Sequence, residues 1–539
     1  MLSDFLEMTD GRHLRADVCI VGAGPAGITL ARKLAKHGHA VCLLESGGED
    51  FEQDAQSLYT GASVGMTYYP LENTRLRFFG GTIHIWGGRC GQLDDIDFER
   101  REWVAHSGWP FGAEALAGYY RGAHEILRLG SYGYDERLWR EIGASRPPFD
   151  EKLFTTRFWR FDKREEPFAL RHCEDLVRSK NVEVVLHANA VHIQAHPDAR
   201  SVTGIRISTL DGRQGKVSAA YYVLACGGIE NPRLLLSSRD VEVNGIGNGF
   251  DQVGRYFMEH PHCRAGRLDG NRSYALWDGM RKRYLADNIA VAPALLPTAS
   301  LQREKEILNS ALTFKLQRDP RLGISTGKKI YEHLRHELAP DRRGRRIYYT
   351  YRGLKRWFDR NLRPTVEHAL SALGITGLTL VVRAEQAPNP HSRVRLSNRK
   401  DILGLPCPEL DWQLSSRDKN TVTVLADTLR SEFERLGMGE LKKSGWLDEP
   451  ALEWPVDLGV GAHPIGGYHH MGTTRMSADP KTGVVDADSR VHNYSNLYVA
   501  GSSVFPTSGW ANPTLTIMAL SLRLADHLDT RLHNSTHVR

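Results

Sequence analysis

The chain has 539 residues, 41% of them apolar and 25% charged, enough to bury a large core and to fold as two intertwined domains. Its net charge of +6 is mild for that length and gives no reason to expect a nucleic-acid partner. The first 16 residues hold Asp4, Glu7 and Asp10 rather than a leader's apolar core, and no run reaches the roughly 18–20 apolar residues of a membrane span. A cytoplasmic location is therefore expected, with export alongside a partner subunit left open.

In chain order, the segment from Ala16 to Gly48 reads as strand, glycine turn, helix and strand. Val18 to Val21 is an apolar run too short for a helix, and an amphipathic helix is predicted from about Ala26 to His37. Between them Gly22, Gly24 and Gly27 stand at dinucleotide-fingerprint spacing, with Pro25 and Ala26 opening the helix. Gly22 makes the tight turn, Gly24 lets the backbone approach a pyrophosphate, and Gly27 lets helix and strand pack closely. The helix N-terminus offers N–H groups and about half a positive charge to the phosphates. The next strand, Ala40 to Leu44, ends in Glu45-Ser46, where Glu45 is placed to accept hydrogen bonds from a ribose. An unliganded glycine turn is the bland alternative, and the complete βαβ unit with its acidic end weighs against it.

Further along, Val182 to Leu186 reads as a short strand leading to Ala190-Val191, where backbone meets an adenine. Tyr221 to Leu224 is a late strand whose turn, Ala225-Cys226-Gly227-Gly228, precedes a helix from Asn231 to Ser237. Such scattered pieces suit FAD held in extended form across a discontinuous domain. Arg342 to Arg360 interleaves eight cations with Tyr348, Tyr349, Tyr351, Trp357 and Phe358. This segment reads either as a solvated helical hairpin with core aromatics, or as a contact for a membrane surface, an electron acceptor or an anionic substrate. Leu378 to Gln386 is predicted as a strand, broken by Pro388-Asn389-Pro390, with Arg393 to Ser397 as its partner in a mixed sheet over the flavin. Glu385 and Gln386 either point into the cavity or serve the strand turn. At the end of the chain, HHMGTTRM from His469 and ANPTLT around Asn512 are joined by the predicted strand NLYVAGSS and followed by a helix from Pro513 to Leu528.

These segments resemble the glucose-methanol-choline (GMC) oxidoreductase family, through VGAGPAG with LLESGG, FGGTIHIWGG, ACGGIENPRLLL, VGRYFMEHP, EQAPNPHSRVRLS and the two C-terminal motifs. The chain looks most like the bacterial sugar dehydrogenase and pyranose oxidase branch, which has a His-Asn pair. The resemblance implies an α/β fold: a discontinuous Rossmann-like FAD domain (1–95, 175–265 and 455–539) and an α+β substrate domain on a mixed sheet (96–174 and 266–454). It implies His469 as catalytic base and Asn512 as the group orienting the substrate oxygen. It places Gly80, Gly81, Thr82, Trp86 and Gly87 near the flavin ring and Gly501 and Ser502 at the phosphate–ribityl region. Asn512, Pro513 and Thr514 would then point a helix N-terminus at flavin N1/C2=O, where reduction deposits charge. Where relatives attach flavin covalently through a histidine before the tryptophan, this chain has Ile85, with His84 one residue early. Non-covalent FAD is therefore expected. The seven cysteines lie far apart without CxxC or CxxCH, so neither an iron–sulfur cluster nor a c-type haem is implied. No metal is expected either.

The expected reaction is oxidation of a CH–OH group of a sugar, glycoside or polyol to a carbonyl. Hydride goes to flavin N5 and the hydroxyl proton to His469. Adjacent His470 should point elsewhere, and His260, His262, His463 and His470 read more simply as hydrogen-bonded core residues. Electrons would pass to an external acceptor: a quinone, a cytochrome or O2. The alternatives are an oxidase releasing H2O2, a non-redox hydroxynitrile lyase-like member, and a flavin-bound assembly subunit working through residues 342–360.

Overall fold

The computed structural model describes residues 1–164, 166–269, 273–318, 341–373, 376–458, 460–461 and 463–536. Arg12–Val21 is the spine of the first sheet, with Val18, Cys19 and Ile20 fully buried. It pairs in parallel with Val41–Leu44 on one side and Gln214–Leu224 on the other. Val182–Leu186 and Leu2–Asp4 extend the parallel order outward. Gln214–Leu224 is long enough to change partners. Its first residues pair antiparallel with Val202–Ser208, and its last pair in parallel with Leu497–Val499. Burial on both faces explains the unbroken apolar runs seen in the sequence. Helix Pro25–Lys36 covers one face and packs on the C-terminal helix Thr514–Thr536.

The second sheet runs in the order Glu440–Lys443, His262–Asp269, Thr376–Ala384, Ser310–Arg318, Ala290–Pro297, Phe154–Phe161, Arg89–Cys90. All its pairings among the described residues are antiparallel, so the sheet expected to be mixed is antiparallel here. Such a sheet can keep one face open, and alternation divides the two faces. Cys263, Val291, Leu295, Leu312 and Val382 pack with Val422, Leu425 and Leu429 of helix Ser416–Arg435. Trp159, His262, Ala292, Thr313 and Arg383 face a cavity between the two sheets.

Arg393–Lys400 is not the partner of Thr376–Ala384. It pairs with Pro406–Asp411, which takes Ala62–Ser63 in parallel, in a separate sheet. Pro388 and Pro390 lack the N–H groups a ladder needs, so the chain leaves the second sheet there. Glu385 and Gln386 turn out to be structural. Glu385 accepts from Arg101 Nη1 at 2.8 Å with both side chains fully buried, and Gln386 Oε1 accepts from Glu259 N–H and Trp412 Nε1–H. The basic segment forms helix Arg342–Asn361, followed by Arg363–Ala372. Its aromatics are not uniformly core: Tyr348 is buried, whereas Trp357 is 59% and Phe358 40% exposed. No described helix is long and apolar enough to cross a membrane.

Candidate active site and cofactor cavity

One cavity of about 870 Å3 joins the glycine turn at one end to His469 and Asn512 at the other. That volume lies at the upper end of ligand pockets, roughly 300–1,000 Å3. Gly22, Gly24, Pro25, Ala26, Glu45 and Ser46 line the first end. Gly81, Thr82, Trp86, Gly87, Ala225, Gly227, Gly501, Ser502, Pro513 and Thr514 line the middle and far end. Three residues singled out in the sequence do not line it. Gly27 is packed away, since a Cβ there would sit 2.0 Å from the Gly22 carbonyl oxygen. Gly80 takes φ +93° and donates its N–H to the Ala23 carbonyl at 2.8 Å. Val191 gives way to Ala188 and Ala190, because alternate strand residues face opposite sides.

The cavity's first end fits a dinucleotide. A Cβ on Gly24 would meet no atom within 4 Å, which leaves room for a phosphate. Helix Pro25–Lys36 begins with no side-chain cap, so its N-terminal N–H groups stay available. Glu45 is held in the wall by the N–H groups of Ala23 and Gly47, at 3.0 and 3.1 Å. Sequence reasoning missed the neighbouring ion cluster. Glu230 lies between Arg75 at 2.6 Å and Arg233 at 3.1 Å, and these cations hold its carboxyl down at about 2 despite burial. Arg75 and Arg77 stack over Tyr59.

At the far end, His469 makes one hydrogen bond with each ring nitrogen. Its Nε2 lies 3.1 Å from Asn512 Nδ2, and its Nδ1 lies 2.8 Å from His260 Nδ1. His260 Nε2 in turn lies 2.7 Å from the Gly509 carbonyl oxygen. A carbonyl only accepts, so His260 carries its proton on Nε2 and accepts at Nδ1. His469 must then donate from Nδ1, which leaves a lone pair on Nε2. The Asn512 amide N–H, which can only donate, requires the same tautomer independently. Burial first, then neighbouring His260, His262, His470 and Arg89, hold the His469 imidazole well below its ordinary value. It is therefore neutral at working pH.

The backbone around this histidine is clamped by Glu259, which is fully buried. Glu259 accepts the N–H groups of His260 at 2.8 Å, Gly467 at 3.1 Å and His469 at 3.0 Å, and the Tyr68 hydroxyl at 2.7 Å. Burial outweighs those bonds and pushes its carboxyl up to about 6. Tyr468, between two of the donors, takes φ +62°, a left-handed turn that aims successive amides at one anion. His470 turns away to the Tyr68 hydroxyl at 3.0 Å. His260, read from the sequence as a core residue, is also the direct partner of His469. The tight spacing of Glu259, His260 and His262 was the only sequence signal for this support.

The fold and site thus define a flavin-dependent oxidoreductase. Residues 17–244 match the model of the FAD dependent oxidoreductase family, and residues 388–521 match that of the GMC oxidoreductases. The fructose dehydrogenase large subunit of Gluconobacter japonicus is 23% identical, over 95% of this chain and 97% of that one. The paromamine 6'-oxidase of Streptomyces fradiae is 27% identical, over 94% and 90%. Among solved structures, a fungal aryl-alcohol oxidase shares the fold at TM-score 0.55 and 13% identity, covering 98% of this chain and all of that one. The chain thus carries a GMC oxidoreductase match in its C-terminal part behind an FAD dependent oxidoreductase match in its N-terminal part, and it is an FAD-dependent oxidoreductase.

Proposed function

We propose that the enzyme oxidises a CH–OH group of a sugar, glycoside or polyol to a carbonyl and passes the electrons to an external acceptor. The observation that carries this is the unprotonated Nε2 of His469 at the cavity wall, its tautomer fixed through His260 and its lone pair accepting only from the Asn512 amide. Bound FAD supplies the two-electron acceptor for the hydride that leaves the alcohol carbon. As hydride departs, His469 Nε2 takes the hydroxyl proton, so no free alkoxide builds up. The Asn512 amide, which donates to that nitrogen when no substrate is present, donates instead to the substrate oxygen. His260 acts through His469: its bond to Gly509 keeps the reactive nitrogen unprotonated. The flavin-binding portion in this reading comprises 1–95, 175–265 and 455–539, and the substrate portion 96–174 and 266–454. Strands Arg89–Cys90 and His262–Asp269 reach from the first portion into the second sheet. The substrate class is supported by the sugar-directed names of several relatives. The test is an anaerobic screen of sugars, glycosides and polyols followed at the flavin absorbance maximum. Bleaching by members of the panel is expected, and bleaching by none would remove the reading.

FAD is held without a covalent bond in this reading. Ile85 faces the cavity, while His84 is buried outside it, with Nε2 3.0 Å from the Phe79 carbonyl oxygen and Nδ1 3.4 Å from Glu166. Acid precipitation should leave all the flavin in the supernatant, and flavin sedimenting with the polypeptide would contradict this.

A further inference from the structure

The substrate side of the cavity carries positive charge that the protein itself does not neutralise. Arg383 is 91% buried, as its 9% exposure shows, and lines the cavity. Its Nη1 donates to Thr313 Oγ1 at 3.0 Å, and its Nε finds no partner. Arg89, on the edge strand of the same sheet, stacks over Trp159 at 5.2 Å, and its Nε is likewise buried without a partner. Lys282 places its ammonium 3.6 Å from the centre of the Phe161 ring. No described carboxylate pairs with any of the three. Isolated guanidinium groups removed from water are costly, and proteins keep them where a ligand completes the pairing. Burial lowers Arg89; burial and then Arg89 lower Arg383; and desolvation in the cavity mouth, then Arg89, Arg352 and Arg356, lower Lys282, whose side chain still reaches solvent.

Two of these charges lie beside the reacting position. Arg383 stands opposite His262 in the strand register, and Arg89 is close enough to His469 to help keep it neutral. They also continue outward. An adjoining cavity of about 600 Å3 shares Lys282, Arg352 and Arg356 with the main one and adds Lys163 and Arg360, against the single carboxylate of Asp162. Even with Asp359, which pairs with Lys355 and Arg363, cations outnumber carboxylates along this path, and a funnel where one sign predominates concentrates ions of the opposite sign. The pyrophosphate cradle lies at the other end of the main cavity, so the dinucleotide phosphates do not account for this wall.

We propose that the alcohol oxidised here is anionic, a carboxylate- or phosphate-bearing sugar derivative whose charged group is held by Arg89 and Arg383 and admitted past Lys282. This rests on the alcohol-oxidation reading and narrows its substrate. Charge-assisted bidentate bonds from guanidinium groups suit both anions.

The test uses the holoenzyme, anaerobically and without an acceptor, so that no acidic acceptor contributes. A neutral hexose and polyol are compared with the corresponding aldonate, uronate and hexose phosphate at low and high salt. The anionic compounds should reduce the flavin with a second-order rate constant at least about tenfold above the neutral ones, and the advantage should shrink as salt screens the funnel. Which anion leads separates a carboxylate from a phosphate substrate. Arg383→Gln should cut the anionic-to-neutral ratio about tenfold or more. Lys282→Gln, at an accessible position, should lower the ratio and its salt dependence even if the buried change impairs folding. Neutral compounds equal to or better than the anionic ones would overturn the proposal while leaving alcohol oxidation intact. So would substitutions that slow both kinds alike, since the cations would then serve the flavin. If no alcohol of either kind bleaches the flavin, the alcohol-oxidation reading fails. The anion site is then judged by titrating the oxidised holoenzyme with the carboxylates and phosphates. A flavin spectral shift lost in Arg383→Gln supports the site, and no shift overturns it.

Discussion

Replacing His469 with Ala is expected to slow anaerobic flavin reduction about 10²- to 10⁴-fold, the usual contribution of a positioned base, while FAD stays bound. The imidazole's partners are Asn512 and His260, neither of them in the glycine turn that receives the dinucleotide, so binding and chemistry separate. Asn512→Ala should cost less, about five- to tenfold, as expected for one hydrogen bond of about 1 kcal/mol. Reduction at the parental rate in His469→Ala would dismiss the residue as base. The pH profile adds an independent check. The active form is the neutral imidazole, and its pKa is held well below 6.5 by burial, then by His260, His262, His470 and Arg89 around it. The reduction rate should therefore stay level as pH falls through 6.5 and drop only in more acidic buffer. An acid limb centred at or above 6.5 would contradict the buried, neutral histidine.

The second large effect is a contrast between two glycines three residues apart. Gly27→Ala places a methyl group 2.0 Å from the Gly22 carbonyl oxygen, backbone against backbone, with Ile20 Cγ2 at 3.3 Å. Nothing flexible can give way, so the first helix must lift from its strand. Loss of flavin together with a stability drop of about 3 kcal/mol or more is expected. Gly24→Ala meets no atom within 4 Å. The apoprotein should melt almost as the parent does, yet bind FAD more weakly, because the new methyl occupies the approach path of the phosphates. Differential scanning calorimetry of apoprotein and flavin titration read the two effects separately. Equal melting losses in both variants would show that Gly24 is a packing glycine as well.

What the sequence made legible was local or tied to short spacing. The βαβ unit, its buried strands and the helix beginning near Asn512 follow from apolar period and from glycine and proline chemistry. So does the pairing of His469 with Asn512, once the family resemblance is admitted. What stayed hidden depends on contacts between segments far apart in the chain. Glu259 and Tyr68 meet across 191 positions, and His260 meets His469 across 209. Nothing in the spacing of single residues announces such pairings. The partner wrongly given to Thr376–Ala384 shows the same difficulty. Sequence adjacency suggested Arg393–Lys400, but the neighbours are His262–Asp269 and Ser310–Arg318. The cationic wall was concealed because Arg89 and Arg383 look like ordinary charged residues until their missing carboxylates become visible in three dimensions.

Leu497–Val499 docks beside Gln214–Leu224, and Thr514–Thr536 lies against Pro25–Lys36. A ribosome therefore delivers the phosphate-gripping turn first and the elements that close its pocket last. Cofactor capture becomes a late event in biogenesis, and the early βαβ unit must wait with its apolar flank uncovered. Such non-local closure slows folding and leaves nascent chains open to aggregation. Recombinant yield should consequently respond to slower synthesis at low temperature and to riboflavin supply.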